Sequence, residues 1–164
     1  MDLENEGIGV YEISNFVSSK YIARLSERIN EKTNKWVGDR QEILDLFVEP
    51  DLLEPYYKLL QNLFTEQNYK IKKEHTIQKS CGGFGLDSHA DEQGLKTIKY
   101  GTILYLNNNY TGGYLVYPTL NIAIKPEPGL LVIHKGNIPH FVANYNNDGE
   151  RYFISRFLCE EESI

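Results

Sequence analysis

The segment Ser88-His89-Ala90-Asp91 sets an imidazole and a carboxylate two residues apart, and Ile138-Pro139-His140 adds a second imidazole further along. Within a strand, residues i and i+2 face the same way, so one short segment can offer His89 and Asp91 to a single ion. His140 has to come from another strand. Two histidines and a carboxylate on one face are the donor set of a non-haem Fe(II) site, which leaves three octahedral positions for O2 and a bidentate co-substrate. A structural metal site would be closed instead. Alone, His-x-Asp is a weak pattern, and His89 and His140 could equally be hydrogen-bonded histidines at a loop and a strand end. His75 has no carboxylate at the same spacing. His134, before Lys135-Gly136-Asn137, reads as a partly exposed strand-end residue.

Arg151 strengthens the pattern. On a last strand it shares a face with Phe153, Ser155 and Phe157, a largely apolar set. A guanidinium among apolar side chains has to be paired, because a buried lone charge is costly. A dicarboxylate such as 2-oxoglutarate can supply the pair through a two-pronged hydrogen bond. A protein salt bridge or a solvent-facing register would serve as well. Tyr105, on the Ile103-Tyr105-Asn107 face, can donate its hydroxyl to the same carboxylate or simply fill the core.

These groups need a frame. Helical spacing dominates the first third: Ser18 or Ser19 can cap a helix with Ile22, Leu25 and Ile29 on its apolar side. A second helix is expected after Asp51, with Glu54 as box partner and a stripe of Leu52, Tyr56, Leu59, Leu60 and Leu63. Pro55 falls near its first turn, where proline is better tolerated. Trp36 to Val48 reads as a loop plus a short helix. From Tyr69 the pattern turns to strands: Tyr69–Lys79, Thr97–Asn107, Tyr114–Tyr117, Asn121–Lys125, Leu130–His134, His140–Asn144 and Arg151–Leu158. Gly82, Gly83, Gly85 and Gly112-Gly113 break the runs, and Asn146-Asn147-Asp148-Gly149 is a turn. Helices followed by roughly eight short strands give an α+β class: a double-stranded β-helix (jelly roll) with supporting N-terminal helices, one domain over 1–164.

Composition excludes some partners. The 164 residues carry a net charge of −6 and no basic run, so non-specific nucleic-acid binding is not expected. No apolar stretch of the ~18 residues needed to span a membrane is present, and the acidic start lacks a signal core. A cytoplasmic location follows as an expectation. Cys81 and Cys159 have no CxxC companion, which points to free thiols but leaves a single disulfide open. Oligomeric state is not legible.

Several segments, in order, resemble the prolyl 4-hydroxylase-like branch of the Fe(II)/2-oxoglutarate dioxygenases. Ile13-Ser14-Asn15-Phe16-Val17-Ser18 looks like its strand-to-helix transition, and His89-x-Asp91 like its proximal ligands. Tyr105-Leu106-Asn107 and Gly112-Gly113-Tyr114-Leu115-Val116-Tyr117-Pro118 are similar to its Tyr-Leu-Asn strand and Gly-Gly-x-x-x-Phe/Tyr-Pro segment. Lys125-Pro126-x-x-Gly129-Leu130-Leu131-Val132 leads to His140 as the distal-ligand approach does, and Gly149-Glu150-Arg151 resembles its Gly-x-Lys/Arg. The resemblance implies that His89, Asp91 and His140 are the catalytic iron ligands. It implies that Arg151, with Tyr105 and Ser155, holds the distal carboxylate of 2-oxoglutarate, and that Leu115 packs on its chain. Fe(II), 2-oxoglutarate and O2 would be required, with ascorbate supportive. The implied reaction hydroxylates a prolyl or related residue of a peptide or protein; a small-molecule substrate or a non-catalytic sensor are the other readings. Asp91 argues against a halogenase, which would have that carboxylate removed. The likeness lapses where Ser80 and Leu86 stand at positions that often carry tyrosine. The short loop Glu92 to Lys96 leaves any lid undefined.

Overall fold

The computed structural model describes residues 7–38, 43–64, 69–80, 83, 85–93, 98–146 and 149–160. In chain order, β1 (Val10–Ile13) and α1 (Ser19–Glu31) are followed by β2 (Ile43–Phe47), α2 (Pro50–Leu63), β3 (Tyr69–Ile71), β4 (Thr76–Ser80) and β5 (Leu86–His89). After a 3-10 turn at Asp91–Gln93 come β6 (Ile98–Tyr105), β7 (Leu115–Tyr117), β8 (Ile122–Ile124), β9 (Leu131–Lys135), β10 (His140–Val142) and β11 (Arg151–Glu160). The strands form a larger sheet, β1-β9-β6-β11-β4-β2 with β3 also on β11, and a smaller one, β5-β10-β7-β8. Every named pairing is antiparallel. This is the expected jelly roll with helices on one side.

Alternation along the strands builds two cores. Leu131 and Ile133 of β9, Leu104 of β6, and Ile154 and Leu158 of β11 pack with the helices. Val132, Tyr105 and Phe153, their neighbours in sequence, point to the other side and meet Leu115, Tyr117 and Val142 of the smaller sheet. Polar residues that share this inner alternation, Arg151 and His134, are therefore carried into the interior between the sheets.

The helices hold the first core. Ser18 caps α1, its Oγ accepting from Tyr21 N at 3.1 Å, and Leu25 and Ile29 are buried. On α2 the expected box does not form: Glu49 is the N-cap without a side-chain bond and Pro50 opens the helix, so Asp51 already lies in the first turn. The buried stripe is Leu52, Leu53, Tyr56, Tyr57 and Leu60, while Leu59 is exposed. The helix is rotated relative to the stripe read from sequence because two adjacent pairs, Leu52-Leu53 and Tyr56-Tyr57, face the sheet together. No helix among the described residues is long and apolar enough to cross a membrane.

Among the described residues of Trp36 to Val48 there is a strand, Ile43–Phe47, and no helix. β2 pairs with β4 through Ile43↔Ser80 to Phe47↔Thr76, and Asp45 accepts from Gln78 Nε2 at 3.0 Å. Sheet pairing decides a five-residue segment, two apolar pairs around Asp45, whose own periodicity is ambiguous. Tyr69–Lys79 splits into β3 and β4. Cys81, Gly82, Thr97, Asn147 and Asp148, and most of the Glu92–Lys96 loop, lie outside the described residues; Cys159 is a free thiol.

Candidate active site

Register brings the ligand candidates together. His140 of β10 is the direct cross-strand partner of His89 at the end of β5. Asp91 is not on that strand; it opens the 3-10 turn just beyond, and the turn folds its carboxylate back onto both imidazoles. Asp91 Oδ1 lies 3.5 Å from His89 Nε2 and 3.4 Å from His140 Nε2. One donor atom from each residue lies within 4.8 Å of the others. His89 Nδ1 is 2.8 Å from Asp87 O and His140 Nδ1 is 3.0 Å from Ile138 O. Those carbonyls accept the Nδ1 protons, which leaves each Nε2 lone pair turned toward the shared point. Asp91 and His140 are buried and His89 is half-exposed, so the cluster opens on one side.

Electrostatics suit a cation site. Burial pushes the Asp91 carboxyl up, but hydrogen bonds and charge from His134 and His140 outweigh it and hold it well below the usual carboxylate range. His140 is raised overall: burial lowers it, and Asp91 together with the Ile138 carbonyl more than compensates. Asp91 thus stays ionised, as a ligand must.

His134 is not a partly exposed strand-end residue. It is buried on β9, with Nε2 2.7 Å from Asp91 Oδ2 and Nδ1 2.7 Å from the Tyr117 hydroxyl. Burial lowers its pKa, so it is a neutral imidazole here, and burial likewise holds the Tyr117 phenol protonated. Its place on the inward alternation with Val132 was the available signal in the sequence.

Arg151 enters the same space from the larger sheet. A cavity of about 540 Å³ is lined by His89, Asp91 and His140 at one part and by Ser80, Leu115, Val142, Arg151, Phe153 and Ser155 at others. Arg151 is the cross-strand partner of Ser80, and its Nη1 donates to Ser80 Oγ at 2.9 Å. Tyr145 OH donates to the same oxygen at 3.3 Å, so Ser80 has its own proton left to give. The guanidinium stacks over Phe153, 4.9 Å from the ring centroid. Among the described residues no carboxylate pairs with Arg151, and its buried Nε has no acceptor. The buried hydroxyls of Tyr105 and Tyr110 have none either, and burial pushes Tyr105 up to about 12. Both tyrosines feel the charge of Arg151.

The second buried arginine of β11 shows what satisfaction looks like. Arg156 donates to Tyr57 OH, Gln78 Oε1 and the carbonyls of Glu74, Thr76 and Ser155. It is a structural tie between β11, β4 and α2. Arg151, by contrast, keeps its Nε without an acceptor, with the hydroxyl-bearing residues Ser80, Tyr105, Tyr110 and Tyr145 around it.

Of the site residues read from the sequence, His89, Asp91, His140, Arg151, Ser155 and Leu115 line the cavity and Tyr105 lies within reach of the Arg151 charge, but their arrangement differs in one respect. Ser155 sits four residues from Arg151 on the same strand, roughly 13 Å away at strand rise, while Ser80 is beside the guanidinium. The sequence carries no pattern that assigns Ser80, Tyr110 or Tyr145 this role: Ser80 reads only as a departure from the family likeness, and the two tyrosines come from loops. Gly113 makes the pocket possible: at φ +72 a Cβ would stand 3.3 Å from Arg151 Cδ and 2.9 Å from Tyr110 Cε2.

No family model and no curated protein matches the chain. Solved structures do. A viral collagen prolyl hydroxylase from Paramecium Bursaria Chlorella virus-1, solved as a 2OG complex, matches with a TM-score of 0.75 at 14% identity, over 99% of this chain and 100% of that one. A prolyl-4-hydroxylase of Pseudomonas putida matches at 0.76 and 16% identity, over 98% and 96%. A prolyl hydroxylase of Trichoplax adhaerens, solved with a hypoxia inducible factor oxygen degradation domain peptide, matches at 0.77 and 19%, over 94% and 84%. The fold is theirs. It is the double-stranded β-helix expected from the strand pattern, and the match spans nearly the whole described chain.

Proposed function

We propose that this chain is an Fe(II)/2-oxoglutarate-dependent hydroxylase acting on a prolyl or related residue of a peptide or protein, in a single catalytic domain. One observation carries the reading: a two-histidine, one-carboxylate cluster and an arginine whose Nε has no acceptor face the same cavity. The donor set fits ferrous iron, since two imidazoles and one carboxylate leave coordination positions open. The architecture shared with three prolyl hydroxylases supports the substrate class. A cytoplasmic location belongs to the same reading, because ferrous iron and the free thiol of Cys159 suit a reducing compartment.

His89, Asp91 and His140 hold the metal, with both Nδ1 atoms fixed by backbone carbonyls so that the rings do not turn. Bound iron supplies O2 activation and the oxidative decarboxylation of 2-oxoglutarate to succinate and CO2, coupled to substrate hydroxylation. Arg151 pairs the far carboxylate of the co-substrate, and Ser80, Tyr105 and Tyr110 donate hydroxyl protons toward it. Leu115, Val142 and Phe153 pack on the methylene chain and keep water from the pocket. The open side at His89 is where substrate approaches. Leu86 and Phe157, both exposed at the rim, offer it an apolar border.

The test is succinate release with Fe(II), 2-oxoglutarate and ascorbate, against proline-rich peptides and a panel of free amino acids. Slow turnover without substrate and stimulation by peptides are expected, with Asp91→Ala inactive. Stimulation only by a free amino acid would move the substrate to a small metabolite. Metal binding without turnover would replace the enzyme by a sensor.

A further inference from the structure

We propose that His134 is a positioning residue for the metal centre: backed by Tyr117 and given room by Gly101, it ties up one oxygen of Asp91 so that only the other is free to bind metal. The inference rests on the metal reading of His89, Asp91 and His140. A carboxylate can grip a cation through one oxygen or two, and the second mode would consume a position that O2 or the co-substrate needs. The two oxygens of Asp91 are already differentiated. Oδ1 faces the Nε2 atoms of His89 and His140 at 3.5 and 3.4 Å, whereas Oδ2 lies 2.7 Å from His134 Nε2. An ionised carboxylate only accepts, so His134 Nε2 carries the proton and Nδ1 is the acceptor. The group facing Nδ1 is the Tyr117 hydroxyl at 2.7 Å, which donates to it and fixes that tautomer.

Three strands converge to make this unit. Tyr117 ends β7, His134 lies on β9, and Gly101 on β6 is its direct cross-strand partner. A Cβ at Gly101 would collide with Asp91 Oδ2 and His134 Nε2 together, so the close approach of the pair requires glycine. His134 stands near the ligands, its ring centroid 4.1 Å from that of His140, yet its Nε2 is spent on Asp91. A third histidine beside the site is thereby kept from becoming a ligand.

The experiment titrates the full chain with Co(II), a spectroscopic stand-in for Fe(II), reading affinity by calorimetry and coordination by visible absorption. His134→Leu is expected to weaken Co(II) binding about tenfold or more and to change the spectrum as Oδ2 joins the metal. His134→Gln places an amide N–H where Nε2 lies and is expected to bind within about threefold of wild type, with the wild-type spectrum. Tyr117→Phe is expected to fall between the two. Wild-type affinity and spectrum in His134→Leu would overturn the proposal, and so would equal loss in His134→Leu and His134→Gln, which marks a packing role. Should circular dichroism show His134→Leu unfolded, Tyr117→Phe decides: unchanged affinity and spectrum overturn it. Wild type that binds no Co(II), or binds it equally with Asp91→Ala, overturns the metal reading itself and this inference with it.

Discussion

Arg151 and Tyr105 pose the clearest question for single side chains. The Tyr105 hydroxyl is buried without an acceptor in the free protein, a state that costs stability. Tyr105→Phe is therefore expected to leave the melting temperature unchanged or raised, while increasing the 2-oxoglutarate needed for half-maximal activity several-fold. Arg151→Ala is expected to raise that requirement about 10- to 100-fold, the ~1.5–3 kcal/mol of a charge-assisted hydrogen bond. Thermal melts and 2-oxoglutarate saturation curves check both. A tyrosine that lowers stability without changing the requirement would be a core residue only. The sequence made His89, Asp91, His140 and Arg151 readable because their types and spacing have few other uses together. His134 and Ser80 were not readable in the same way: one looks like a strand end, the other like an ordinary serine, and each gains its meaning from a cross-strand partner.

At the scale of elements, register does most of the positioning. His140↔His89, Arg151↔Ser80 and Gly101↔His134 are all direct pairs, so three ladders align the site from the backbone outward. None of those pairings is encoded locally. The helices were legible from their spacing, yet α2 is rotated from its expected stripe. Leu60 is fully buried and Leu59 exposed, so Leu60→Ala is expected to cost about 2–5 kcal/mol. Leu59→Ala is expected to stay within ~0.5 kcal/mol. Denaturant midpoints measure the contrast, and a reversed order would restore the stripe read from sequence. β2 escaped recognition because five residues with adjacent apolar pairs carry neither a helical nor a strand period; its pairing with β4 decides it.

For the whole molecule, residues of both sheets line one cavity that serves both halves of the proposed chemistry, while the helices pack in the other core. The strand order places His89 and His140 on the smaller sheet and Arg151 on the larger, so the metal and the carboxylate clamp meet only when the sheets close on each other. The jelly roll was legible as a class, from helices followed by short strands. Its strand pairing was not, since antiparallel partners such as β4 and β11 lie far apart in the chain.

The central claim is that one cavity holds iron at His89, Asp91 and His140 and 2-oxoglutarate against Arg151. Its most direct test is an anaerobic titration of the Fe(II)-loaded protein with 2-oxoglutarate, following the visible charge-transfer absorption of a 2-oxo acid chelated to ferrous iron. A band that saturates at one equivalent per chain is expected, shifted to higher 2-oxoglutarate in Arg151→Ala and absent in Asp91→Ala. No band from iron-loaded wild type, or the same saturation curve in Arg151→Ala, would contradict it.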